Sequence, residues 1–185
     1  IVEAALGDPL TDILRLGTDI VEDFQAVLIG GYGGGWVTTV EALTMPLTEE
    51  ETRSHGCSIG PGVVILLPRG VCPLLEVSRV VRYMAGEGAG QCGPCVNGLG
   101  ALATTTDRLA VQPRSLRNGV STLPMLCDLI EGRGACRHPD GVTRFVRTAL
   151  RVFESHIALH LQRGPCHMAD APFLFVPRSR QIPVR

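Results

Sequence analysis

Residues 62–85 read GVVILLPRGVCPLLEVSRVVRYMA, and this stretch decides the fold. Val63–Leu67 is an unbroken apolar, β-branched run bounded by Gly62 and Pro68, which reads as a buried strand. After Pro68 the period changes: Leu74, Val77, Val80, Val81 and Met84 recur at helical spacing, so Pro73–Ala85 reads as a helix. Strands before this switch and helices after it place the chain in the α+β class.

Upstream, Ile1–Leu6 reads as the tail of a strand. Asp8-Pro9 supplies an N-cap and a first-turn proline for a short helix through Leu10, Ile13, Leu14 and Leu16, closed by Gly17. Gln25–Ile29 reads as a strand running into the glycine-rich loop Gly30–Trp36. Thr48 followed by Glu49, Glu50 and Glu51 marks a short helix that stops near Gly56. Downstream, helices are expected over Val96–Leu109, Leu123–Ile130 and Val142–Leu161. The last carries an apolar stripe of Phe145, Val146, Ala149, Val152, Phe153, Ile157 and Leu161. A polar link, Gln112–Gly119, and a loop, Gly134–Gly141, separate them. The proline- and arginine-rich end, residues 165–185, reads as a poorly ordered tail.

Composition narrows the function classes. The formal net charge of −1 gives no footprint for nucleic acid or an anionic membrane. Hydrophobic residues make up 45% and aromatics 4%, so the core is aliphatic. No apolar run reaches the ~20 residues needed to span a bilayer, and Ile1–Leu6 is not a signal peptide. The seven cysteines are odd in number and irregular in spacing. A reducing, cytoplasmic compartment suits them better than a secreted disulfide framework.

Two of those cysteines stand in Gly86-Glu87-Gly88-Ala89-Gly90-Gln91-Cys92-Gly93-Pro94-Cys95, and a third is Cys136. Two thiols separated by two residues can grip one metal centre from a single loop, and a distant thiol can close the site. Thiolate sulfur selects iron–sulfur clusters, zinc or copper(I). The glycines let the backbone wrap closely. A helix beginning after Pro94 would turn its free N–H groups toward an anionic cluster. The spacing alone leaves metal binding and a pair of reduced structural thiols both open.

Three segments resemble the C-terminal half of the NADH-binding flavoprotein subunit of respiratory complex I and its soluble relatives. Ala26-Val27-Leu28-Ile29-Gly30-Gly31 is similar to the second strand of that family's ubiquitin-like β-grasp domain. Gly60–Leu66 is similar to the strand leading into its helical domain. Arg82–Cys95 resembles its cluster loop, and Ile130–Cys136 the segment bearing its distal ligand. The resemblance implies a partial β-grasp domain over 1–70 and a helical iron–sulfur domain over 71–164, a four-helix bundle. It implies an iron–sulfur cluster on Cys92, Cys95 and Cys136. Ala89 stands where the family has its first loop cysteine, so three of four ligands are present.

The cluster could then be [3Fe-4S], or [4Fe-4S] with His138 as a fourth ligand, or [4Fe-4S] with one open iron. Cys92, Cys95, Cys136 and His138 would equally form a Cys3His zinc site, and His138 also reads as a turn residue before Pro139. The family's FMN- and NADH-binding domain lies N-terminal to the β-grasp part, so no FMN, NADH or catalytic residues are expected here. The sequence looks like a piece of a longer protein.

The implied function is an electron-transfer module of an NADH dehydrogenase-like oxidoreductase, peripheral to a membrane complex. Its partners would be a flavin- and NADH-binding domain or subunit and a further redox protein. The rival is a redox-inactive structural module, zinc-bound or metal-free. Other features read as ordinary structure. Gly30–Gly35 lacks a nucleotide-binding frame. His156 and His160, at i and i+4, read as flanking the apolar stripe toward solvent. Cys72 and Cys127 read as core thiols, and Cys166-His167 as a pair without a partner.

Overall fold

A computed structural model describes residues 1–17, 23–116, 120–166 and 172–177. It is α+β, with eight α-helices and a three-stranded antiparallel sheet among the described residues. Strands β1 (Phe24–Ile29), β2 (Gly35–Thr38) and β3 (Val64–Pro68) lie in the order β2-β1-β3. Helices α1 (Leu10–Gly17), α2 (Thr39–Thr44) and α3 (Glu49–Ser54) belong to the first part. Helices α4 (Pro73–Gly86), α5 (Leu99–Val111), α6 (Thr122–Ile130), α7 (His138–Val152) and α8 (Glu154–Arg163) form the second.

The apolar run of β1 follows from its place at the centre of the sheet. Ala26 and Leu28 face the helical core with Val80, Leu102 and Phe145, while Val27 and Ile29 face a smaller core with Leu10, Leu14 and Ala42. A strand covered on both faces has no reason to alternate. β1 leads into Gly30, where φ is +84° and an added Cβ would lie 2.0 Å from the carbonyl oxygen of Ser58, so only glycine fits.

Trp36 on β2 is the bolt between the two parts. It is fully buried, with ring centroids 5.6 Å from Phe145 and 5.2 Å from Phe153. Its backbone N–H donates to Thr148 Oγ1 at 2.9 Å. Arg144 donates to the Gly33 carbonyl at 2.8 Å, and Arg151 to the carbonyls of Trp36 and His55.

The capping box that starts α2 adds a charged tie. Glu41 Oε2 accepts the Thr38 N–H at 2.7 Å, Thr38 Oγ1 accepts the Glu41 N–H at 3.1 Å, and Arg151 of α7 pairs with Glu41. Burial works against the charged carboxylate, but the Thr38 N–H and Arg151 outweigh it and hold Glu41 down to about 2. A depressed carboxylate stabilises the fold above its ordinary value of 4.5, and that stability is lost as pH falls toward 2. Glu41→Gln is therefore expected to lower the melting temperature at neutral pH and to flatten its fall with acid in that window. A parallel acid slope in mutant and parent would contradict this.

The structure departs from the sequence reading in four places. Ile1–Leu6 forms no strand, and Ile1 and Leu6 are exposed. The glycine loop contains β2, and α2 follows it directly. α7 begins at His138, with Pro139 in its first turn and Asp140 beside it, and the long helix breaks at Phe153 (φ −104°, ψ 22°). The tail expectation fails for Cys166 and for residues 172–177. There Leu174 is buried, and the N–H groups of Phe173 and Leu174 donate to the carboxylate of Glu76 at 3.2 and 2.7 Å. Residues 178–185 and His167 lie outside the described residues.

Candidate metal centre

α4 ends at Gly86, and the chain turns through Gly88 and Gly90 before a π-helical turn, Pro94–Gly98, runs into α5. Gly90 has φ +66°, which suits glycine alone. Val96 N–H donates to the Cys92 carbonyl at 2.9 Å, which begins the helical winding at the cysteines themselves. A π turn at this point matches the tendency of such turns to sit at functional sites.

The distal loop folds back onto this one. The Ala135 and Cys95 amides pull the Cys92 thiol below its ordinary value. Burial, then the neighbouring Cys92, pushes Cys95 up, and the charge of Cys136 is felt there too. Cys92 and Cys95 are half-buried and Cys136 is exposed.

Asp140 holds the distal loop in place. Its Oδ1 accepts the Gly132 N–H at 2.8 Å and its Oδ2 accepts from Arg137 at 2.9 Å. The Gly132 amide is the chief reason its carboxyl sits below the ordinary range. His138 is turned to other work, with Nε2 2.8 Å from the Met84 carbonyl oxygen. It ties the start of α7 to the end of α4.

The spacing of the three sulfurs bears on what they can hold. Four ligands around one zinc ion at ~2.3 Å put sulfurs about 3.8 Å apart. Among the described residues, one group of three or more such side chains has all its ligand atoms within 4.8 Å of one another, and it is not this one. It is Cys72, His156, His160 and Cys166. The sequence reading put the two histidines toward solvent and left Cys166 without a partner. Instead His160 is fully buried, and His156 and Cys166 meet 3.4 Å apart, Nε2 to Sγ. Cys127 is a core thiol as read, buried and pushed up to about 11 by that burial.

Comparison with known proteins gives these arrangements a context. Residues 76–160 match the family described as the NADH-ubiquinone oxidoreductase-F iron–sulfur binding region. The mitochondrial NADH dehydrogenase [ubiquinone] flavoprotein 1 of Dictyostelium discoideum is 26% identical over 124 residues, 67% of this chain and 26% of that protein. The F-type subunit of the NADH-quinone oxidoreductase of Rickettsia bellii is 23% identical over 165 residues, 87% of this chain and 39% of that protein. A chain of the NAD+-reducing [NiFe]-hydrogenase in its H2-reduced state shares the fold, with a TM-score of 0.70 and 21% identity. That match covers 85% of this chain and 26% of the hydrogenase chain. This chain therefore spans well under half the length of the relatives it matches. No helix among the described residues is long and apolar enough to cross a membrane.

Proposed function

We propose that Cys92, Cys95 and Cys136 hold an iron–sulfur cluster through which this chain relays single electrons, a reading supported by the match of residues 76–160 to the NADH-ubiquinone oxidoreductase-F iron–sulfur binding region. The observation that carries the proposal is the family match over residues 76–160, which contains Cys92, Cys95 and Cys136, beside a Cys92 thiol pulled below its ordinary value by the Ala135 and Cys95 amides. Such N–H···S contacts stabilise thiolates and tune cluster potential.

When bound, such a cluster supplies one-electron transfer. The chain's own residues ligate, orient and shield. The loop glycines allow close backbone approach, Asp140 fixes the segment that carries Cys136, and the π turn sets the pitch of the Cys92–Cys95 grip. The proposed ligands are three thiolates, and the 2.8 Å approach of His138 Nε2 to the Met84 carbonyl oxygen leaves Nδ1 as the ring nitrogen that would serve as a fourth. With Ala89 at the family's first loop position, the group held would be [3Fe-4S], [4Fe-4S] with one open iron, or [4Fe-4S] with His138 as its fourth ligand.

The electron donor would be a flavin reduced by NADH on a neighbouring domain or subunit. The acceptor would be a further redox protein of an assembly peripheral to a membrane. The test is anaerobic reconstitution with iron and sulfide, followed by EPR before and after reduction. An oxidised-state signal identifies [3Fe-4S], and a signal only after reduction identifies [4Fe-4S]. A colourless, EPR-silent protein in both states would refute the proposal. Ala89→Cys, which restores a fourth thiol, is expected to extend the air lifetime of the cluster several-fold. An unchanged lifetime would remove Ala89 from the ligand position.

A further inference from the structure

We infer that Cys72, His156, His160 and Cys166 form a second centre, a tetrahedral structural zinc site separate from the cluster loop. All four ligand atoms lie within 4.8 Å of one another. Cys72 Sγ is 3.6 Å from His160 Nε2 and 3.8 Å from His156 Nε2, and Cys166 Sγ is 3.4 Å from His156 Nε2. Tetrahedral zinc with bonds of ~2.3 Å to sulfur and ~2.05 Å to nitrogen sets each sulfur about 3.6 Å from each nitrogen. The observed separations bracket that value.

Thiol hydrogen bonds alone explain this less well. Two S–H groups can each serve one acceptor, whereas three S···N approaches converge on a common centre. Two thiolates and two neutral imidazoles around a divalent ion carry no net charge, which suits a buried place.

The surroundings prepare the ligands. His160 Nε2 accepts the Cys166 N–H at 3.2 Å, so Nε2 is the unprotonated nitrogen, and a metal would take the lone pair that this N–H now uses. The Nδ1 of His160 is buried and has no hydrogen-bond partner among the described residues. Cys72 is the N-cap residue of α4, so its sulfur is placed at the entrance of that helix. Gly164, with φ +94°, ends α8 and turns Cys166 back toward the histidines.

A metal here would staple the entrance of α4, the last helix and the segment beyond it into one unit. It would hold α8 against the bundle by ligation as well as by packing. Metal held by the native fold and not by the unfolded chain adds directly to stability.

The experiment is a cobalt(II) titration, with zinc competition, of the full chain carrying Cys92→Ser, Cys95→Ser and Cys136→Ser, under reducing conditions. That background removes the cluster cysteines, so failure of the iron–sulfur proposal cannot affect the outcome. One equivalent of cobalt should give the intense visible bands of tetrahedral sulfur–nitrogen coordination, and zinc should displace it. Adding Cys166→Ser or His156→Gln, both at half-buried positions, should weaken binding at least about tenfold. Absence of the tetrahedral spectrum, or a spectrum unchanged by both further substitutions, would overturn the site. So would a metal-free native protein with Cys72 and Cys166 joined as a disulfide.

Discussion

Cys136→Ser is expected to leave the chain folded and to strip it of iron. Cys136 is exposed and contributes nothing to the core, so its loss disturbs no apolar packing. The loop that bears it is held independently, by the Gly132 N–H on Asp140 and by His138 on the Met84 carbonyl. A serine hydroxyl keeps the shape but is a hard, weakly acidic donor, unsuited to iron in a sulfide cluster. With three protein thiolates to begin with, losing one leaves a two-point grip from a single loop. Loss of mere outer-shell partners typically costs ten- to a hundredfold in metal affinity. Iron retained per chain after desalting should therefore fall by at least about tenfold, while the circular dichroism spectrum stays that of the parent. Equal iron in both proteins would remove Cys136 from the ligand set.

Trp36→Ala is expected to be the most destabilising single change in the molecule. The indole is fully buried between the sheet and α7, against Phe145 and Phe153. Truncating a buried tryptophan to alanine costs ~3–5 kcal/mol through lost burial and the cavity left behind. Against a total stability of ~5–15 kcal/mol that is a large share. For a chain of this size it corresponds to a fall in melting temperature of roughly 6–20 °C. Circular dichroism is the suitable probe, since Trp36 is the only tryptophan and its fluorescence disappears with it. A fall of a degree or two would mean that the sheet and the helical part are not joined through this residue.

Local pattern made part of this fold readable. The passage from strand to helix around Pro68 and Pro73 is announced by a change of period, and β3 and α4 form there. Thr48 and the three glutamates after it cap α3 as their chemistry requires, with Thr48 Oγ1 accepting the Glu51 N–H at 3.1 Å. β2 was hidden because only Trp36 and Val37 stand out after a run of glycines, too few residues to show an alternation. The break at Phe153 was hidden for the opposite reason. Phe145, Val146, Ala149, Phe153 and Ile157 make one continuous helical stripe on paper, although the chain turns where Phe153 meets Trp36. No one-dimensional period records that contact.

The two proposed metal centres differ in the same way. The cluster loop announces itself because two of its ligands are two residues apart among glycines, and its family motif extends on both sides. The second centre is assembled from distant places: Cys72 lies 84 residues from His156 and 88 from His160. Its one local signal is the i, i+4 pairing of His156 and His160, which by itself describes a solvated helix face equally well. Burial of His160 separates these readings, and burial is a property of the packed molecule. The C-terminal segment shows the same dependence. Its composition argues for disorder, yet the Glu76 carboxylate receives the backbone N–H groups of Phe173 and Leu174 and pins them to α4.

The most direct test of the proposed electron relay is an anomalous difference map, recorded at the iron edge from crystals of the anaerobically reconstituted chain. A multi-iron peak within bonding distance of the sulfurs of Cys92, Cys95 and Cys136, on the side of Ala89, is the predicted result. An absence of iron there, or iron bound only at the Cys72–His156–His160–Cys166 group, would contradict it.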